Sequence, residues 1–205
     1  MNVMRSGLSF DRKNSNFTCV FRAAIGSDVA KLEWFGAYAE HCQIIGEAFA
    51  AQKRGEGLML VAAVDNFPVA QLWVRFSQAH PPRFWAFRVM QPFQGLGLGS
   101  QLFRLGENIL TRRQFASCEV GVEKSNPAVR RLYEKMGYLL SYEQSEDYSY
   151  VTPNGETRVG RADQWILQKK LKQRHADSKL IAGQRAEEGR PGHTILFDGL
   201  SNGRA

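Results

Sequence analysis

Long apolar runs are missing from this chain, and no stretch reaches the length that spans a bilayer as a helix. Residues 1–16 are polar and lack the apolar core of a secretory signal, so a mobile leader is expected there. Cysteine is scarce. Cys19, Cys42 and Cys118 are an odd number without metal-ligand spacing, and two of them lie in apolar segments. Reduced, buried thiols and a cytoplasmic setting are the expectation, with no metal. Blocks of like charge are missing too. The net charge is +7, but the basic residues are scattered and no nucleic-acid-binding motif accompanies them. Nucleic acid and membrane are therefore not expected partners. No Gly-Lys-Ser/Thr opens a helix, which excludes a nucleoside-triphosphate P-loop, and the glycine spacing differs from the dinucleotide fingerprint.

What the chain does contain is an ordinary apolar content of 43% over 205 residues, enough for one domain with an ordered core. Its organising stretch runs from Val89 to Leu102. The apolar run 84–89 leads into a turn with Gly95, Gly97 and Gly99, and a stripe of Leu98, Leu102, Leu105 and Ile109 leads out. Strand, glycine-rich turn and helix make an anion site. Glycine permits close backbone approach, and the first helical turn offers unpaired N–H groups at the positive end of the helix dipole. Taken alone, three glycines are equally a tight structural turn.

The pattern Gln94-Gly95-Leu96-Gly97-Leu98-Gly99 resembles the coenzyme A pyrophosphate loop of the GNAT superfamily of acyl-CoA N-acyltransferases. Residues 120–138 resemble that superfamily's second motif: a strand, Asn126, Ala128, and a helix ending Leu132-Tyr133-Glu134-Lys135-Met136-Gly137 before Tyr138. The order and separation of the two motifs are far more specific than either alone. The resemblance implies a mixed α/β fold whose mostly antiparallel sheet splays its fourth and fifth strands, a parallel pair, to admit acetyl-CoA. It also implies an N-acetyltransferase acting on an amine acceptor in a ternary complex, with a homodimer as one candidate assembly. The domain is expected over 17–171, followed by a disordered or loosely packed tail at 172–205.

The resemblance also distributes roles. Backbone amides at Gln94, Leu96, Gly97, Leu98 and Gly99 would meet the pyrophosphate, with Gly95 and Ser100 completing the turn. The backbone at Phe87 and Val89 would pair with the pantetheine arm, and Asn126 would hydrogen-bond it. Asn126 is equally a helix N-cap before Pro127. Tyr133 would protonate the departing thiolate, a role suited to a phenol that keeps its proton at neutral pH. Read from spacing alone, it is a core tyrosine. Arg104 and Arg130 are candidate contacts for an outer phosphate, or solvated surface arginines.

No general base is evident. Residues 84–89 contain no carboxylate, and the position five before Asn126, often glutamate in family members that acetylate protein N-termini, is Gly121. Glu119 and Glu123 share a strand face with Gly121 by period two and are substitutes for it, while His80 lies in the loop before the cofactor strand. The missing base keeps open a second reading, a non-catalytic acyl-CoA-binding module.

The remaining chain reads as a strand at 17–21, helix from Ser27-Asp28 to Lys53 broken near Gly36 or Glu40, and strands 58–64 and 69–76 around a hairpin turn. A strand at 116–122 precedes the second motif. A strand at 138–142 follows, then a hairpin of a strand at 148–151, a turn at Thr152-Pro153-Asn154-Gly155 and a return strand, and then a last strand at 164–168. The acceptor is expected near residues 34–49, the hairpin around Pro153 and the pocket faces of the central strands.

Overall fold

The computed structural model describes residues 7–12 and 15–172. Eight strands form one mixed sheet in the order β1-β2-β3-β4-β5-β6-β8-β7. They are β1 Gly7–Arg12, β2 Ser15–Ala23, β3 Gly57–Val64, β4 Phe67–Arg75, β5 Arg83–Val89, β6 Ser117–Glu123, β7 Leu139–Val151 and β8 Thr157–Lys170. Three α-helices accompany them: α1 Cys42–Arg54, α2 Leu98–Arg112 and α3 Pro127–Lys135. No helix among the described residues is long and apolar enough to cross a membrane. The tail expected from 172 onward falls almost wholly outside the described residues.

One expected segment differs at once. Gly7–Arg12, within the stretch read as a mobile leader, pairs antiparallel with β2 from Gly7–Val20 to Arg12–Ser15. Its sequence alternates Leu8 and Phe10 with Ser9 and Asp11, a strand pattern too short to stand out from a polar terminus. The added strand shifts the numbering, so the parallel pair is β5 and β6.

The sheet carries cores on both faces. Leu60, Ala62, Leu72 and Phe84 pack on the side of α2, with Leu102 and Phe103. Met59, Val61 and Trp73 pack on the other side, with Leu32 and Ile45. Alternate residues of β3 therefore feed different cores, which is why its sequence is continuously apolar. The β3–β4 hairpin closes through Asp65 and Asn66, both at positive φ (48° and 60°) as a type I′ turn requires.

The α2 stripe is rotated from the sequence expectation. Its buried line is Leu98, Leu102, Phe103, Gly106 and Leu110, with Leu105 and Ile109 at the margin. Gly106 hides this line from a hydrophobicity count: a Cβ there would lie 2.6 Å from Phe84 Cε1. The expected helix 27–53 is also divided. Short 3-10 turns occupy Gly26–Asp28, Ala30–Glu33 and Ala39–His41 before α1 begins. Asp28 is fully buried, accepts the Ile25 N–H (2.8 Å) and pairs with the Arg22 guanidinium, locking the first turn. Trp34, Phe35 and Gly36 all have positive φ, which no helix tolerates.

Beyond α3, the four expected strands are two long ones. β7 and β8 pair from Leu139–Gln168 to Val151–Thr157, with one register shift between Leu140 and Tyr142, around the anticipated turn, where the Gly155 N–H bonds the Thr152 carbonyl (2.9 Å). Most of β7 is solvent-exposed on both faces, so it carries no alternation to read.

Candidate functional site

The parallel strands β5 and β6 pair only at Arg83–Glu119 and Phe84–Val120. Beyond that point they diverge, and the sheet opens into a V. The closed end is tied by an ion pair between Arg83 and Glu119 (3.1 Å), with the Arg83 guanidinium also donating to Tyr142 (2.7 Å) and Gln144 (3.1 Å). Glu119 is 2% exposed, so of the two glutamates proposed as stand-ins for a base, this one is structurally committed.

Along the β5 arm the register against β4 slips by one residue. Trp73 faces Trp85 and Gln71 faces Arg88, so Leu72 alone opposes Ala86 and Phe87. This is a β-bulge, and Ala86 adopts φ 48°. The buried Gln71 side chain braces it by donating to the Ala86 carbonyl (3.2 Å). The extra residue inverts the alternation of faces. Phe84 and Phe87 both pack on Phe103 of α2 (ring centroids 5.2 Å in each case). Trp85 and Arg88 look the other way: Trp85 against Trp73 (4.8 Å), Arg88 over the Tyr38 ring (3.9 Å).

The glycine turn lies at the open end of the V. After β5 a single 3-10 turn, Gln91–Phe93, leads to Gly95 and Gly97, both at φ 77°. Gly97 is the N-cap of α2 with no side-chain cap, and its carbonyl receives the Gln101 N–H (3.1 Å). Among the described residues no backbone partner is recorded for the amides of Gly95, Leu96 or Gly97, and those of Leu98, Gly99 and Ser100 belong to the first helical turn, which has none within the helix. Gly95, Gly97 and Ser100 are exposed. Backbone amides without a partner are therefore grouped over residues 95–100, an arrangement that suits an anion. Gln94 differs from its neighbours. Its N–H bonds the Gln91 carbonyl (3.2 Å), and its side-chain amide donates to the Val89 carbonyl (3.0 Å), tying turn to strand. Gly99 lets the helix start sit on β5, for a Cβ there would lie 2.5 Å from the Phe87 ring.

Asn126 caps α3, its Oδ1 accepting the Val129 N–H (3.2 Å), so the capping role is realised. Tyr133 is 5% exposed, and its ring lies against Phe103 (5.4 Å), one ring removed from Phe87 at the V. Burial pushes its phenol up to about 12. Its hydroxyl makes no recorded hydrogen bond among the described residues and is free to serve a ligand. Tyr133 is the one fully enclosed member of the expected α3 face; Val129 and Met136 are partly packed, while Leu132 is 41% exposed. Arg130 is engaged by Glu134 (2.8 Å) and by the Trp165 ring, and Arg104 lies on the exposed side of α2. His80 is on the surface.

On the opposite side of the V from α2 lies a cleft of about 400 Å³. β5 contributes Trp85 and Arg88, β6 contributes Gly121 and Glu123, and His41 and Tyr148 close its sides. Glu119, Gly121 and Glu123 do share a face, as period two requires, and Glu123 is the member without an ion pair among the described residues. A side chain at Gly121 would meet Gln164 Oε1 at 2.8 Å, so Gln164 fills the space a glutamate would need there. His41 was not legible as a site residue. It precedes α1, stacks on Tyr150 (5.4 Å), and has its pKa lowered by burial and by Arg88. Of the segment expected to border an acceptor, Trp34 is instead a core residue, donating its indole N–H to the Pro68 carbonyl (2.9 Å).

The sequence model of the Acetyltransferase (GNAT) family matches residues 27–138. No curated protein matches the chain. Among solved structures, the fold is similar to the ribosomal-protein-S18-alanine N-acetyltransferase from Escherichia coli: TM-score 0.56, 17% identity, 78% of this chain and 97% of that one. A putative GNAT-family acetyltransferase from Desulfovibrio desulfuricans superposes with TM-score 0.60 at 14% identity, covering 75% and 99%. The PaiA N-acetyltransferase from Thermoplasma acidophilum, solved in complex with coenzyme A, superposes with TM-score 0.55 at 14% identity, covering 74% and 98%.

Proposed function

The chain belongs to the GNAT acetyltransferase family, and we propose that it transfers an acetyl group from acetyl-CoA to a primary amine within one ternary complex. The observation that carries this reading is the partnerless amide cradle of residues 95–100 at the open end of a split sheet, with the buried phenol of Tyr133 close by. The cradle fits a pyrophosphate: its glycines adopt φ values that side chains rarely accept, and the helix dipole favours the anion. The inner edges of β5 and β6 beyond Phe84 and Val120 are unpaired with each other, and the backbone of Phe87 and the N–H of Val89, whose carbonyl is held by Gln94, suit an amide-bearing arm. We assign Asn126, exposed at the head of α3, to the same arm through its side-chain amide N–H, which remains available while its oxygen caps the helix.

Acetyl-CoA supplies an activated thioester, and the chain's residues manage protons around it. Glu123, exposed on the β6 arm of the cleft, receives the proton of the attacking amine, directly or through water. Tyr133 retains its proton at neutral pH and delivers it to the departing thiolate sulfur. No covalent enzyme intermediate is required: Cys19 and Cys118 are free but buried, with thiols pushed up to about 11 and about 12 by burial, and the half-buried Cys42 does not line the cleft. Free buried thiols also accord with a reducing, cytoplasmic setting.

Calorimetry with acetyl-CoA and CoA tests the reading. Gly97→Glu places a strained residue at φ 77° and a negative charge in the cradle. Wild type is expected to bind at micromolar concentration, and the folded variant not at all. Tyr133→Phe should leave that affinity intact and lower kcat by about 100-fold or more. A folded wild type that ignores both ligands would end the proposal; an unchanged kcat in Tyr133→Phe would remove the phenol's role.

A further inference from the structure

The charges of the acceptor cleft do not cancel locally. Of its two arginines, Arg83 is neutralised by Glu119. Arg88 has no carboxylate partner among the described residues. It rests on the Tyr38 ring, and burial lowers its pKa without removing its charge. A half-buried cation without a counter-ion is a costly arrangement unless something supplies the anion. Residues on its walls carry further unmatched groups. The indole N–H groups of Trp73 and Trp85 and Nδ1 of His41 are buried with no hydrogen-bond partner; all three residues line the cleft, and the two tryptophans also line a second, smaller cavity beside α1. Trp73 itself is 2% exposed. The bulge at Ala86 puts Arg88 here: uninterrupted alternation would turn it toward α2 with Phe84.

Across the V, Glu123 on β6 is the cleft's acidic side chain. Resting on the acetyl-transfer reading above, we propose that the acceptor is a small amino acid whose carboxylate is held by Arg88 while its amine lies toward Glu123. The opposed charges on the two arms match a zwitterion, and a cleft of about 400 Å³ suits a small molecule. A guanidinium binds a carboxylate through paired N–H donors, and the aromatic walls leave room for an apolar side chain. A polyamine, by contrast, would meet the unpaired Arg88 cation.

The test follows CoA thiol release with the proteinogenic amino acids, β-alanine and γ-aminobutyrate, each compared with its carboxamide. In wild type at least one acid is expected to be acetylated, with kcat/KM about 10- to 100-fold above its amide. Arg88→Gln should collapse the acid-over-amide preference to about one by lowering the acid far more than the amide, and keep the acetyl-CoA dissociation constant measured by calorimetry. Three results overturn the inference: amides that serve as well as acids, no amino acid acetylated by protein that binds acetyl-CoA, or a variant that slows acid and amide alike. The acid–amide comparison needs only wild type, so a variant that misfolds does not rescue the idea. Failure of wild type to bind acetyl-CoA refutes the acetyl-transfer reading and takes this inference with it.

Discussion

Two glycines in helix interiors make a matched pair whose replacement by alanine should have opposite effects. In solution peptides the change from glycine to alanine stabilises a helix by about 1 kcal/mol. Gly46 in α1 has nothing within 4 Å of the place its Cβ would occupy, so Gly46→Ala should deliver that gain undiminished. In α2, the Cβ of Gly106→Ala would lie 2.6 and 2.9 Å from two ring atoms of Phe84 and 3.4 Å from Leu60 Cδ1. Ordinary carbon contacts are about 3.5–4.0 Å, so the helix must lift by about 1 Å or the ring must turn. Phe84 is 2% exposed and packed edge-on against Phe103, which leaves it little room. Overpacking of this kind costs about 2–3 kcal/mol, which outweighs the propensity gain and leaves about 1–2 kcal/mol of destabilisation. The two variants should thus differ by about 2–3 kcal/mol in urea denaturation at equal m-value. Equal stabilisation by both would refute the claim that α2 is seated on β5 through Gly106.

Two other outcomes follow from buried polar groups. Tyr133 titrates near 10 when exposed and is pushed to about 12 in the fold, so its contribution is complete below about pH 10 and is lost as pH rises through 12. This group alone accounts for about 3 kcal/mol, and urea melts above pH 10 should show a shallower alkaline decline in Tyr133→Phe. A decline identical to wild type would contradict the assignment. Glu119→Gln removes the counter-ion of Arg83, whose side chain is 23% exposed, and should cost about 2 kcal/mol while weakening acetyl-CoA binding several-fold, because the pair ties β5 to β6. Unchanged melting would show the tie to be dispensable.

Legibility from sequence followed local chemistry. The glycine turn, the α3 cap at Asn126 and the Asp65–Asn66 turn were readable because φ preference and capping are properties of a few adjacent residues. The face presented by Arg88 was not, since period two over residues 84–89 assigns it to the side of α2. The bulge at Ala86 that reverses it is braced by Gln71 from the neighbouring strand, and so depends on residues distant in sequence. His41 was hidden for a similar reason: its partner Tyr150 lies on a hairpin more than a hundred positions away. The α2 stripe was misaligned because Gly106, the residue closest to the sheet, has no hydrophobicity to count. Gly121 was legible as a departure, yet only the structure showed Gln164 filling its space.

The brief pairing of β5 with β6 also has a mechanical side. The sheet is two stiff plates, β1 to β5 and β6 to β8, joined edge to edge at Arg83–Glu119 and Phe84–Val120. Such a seam is a hinge with its axis at the closed end. From Trp85 to Val89 the arm extends at most about 13 Å at ~3.3 Å per residue, so a rotation of ~5° moves the mouth by about 1.1 Å. That displacement is comparable to the tolerance within which reacting atoms must be held. The seam tied by Arg83, Glu119 and Tyr142, together with Phe103 of α2, which packs on Phe84 and Phe87 from one half and on Tyr133 from the other, thus sets the spacing of the cleft walls.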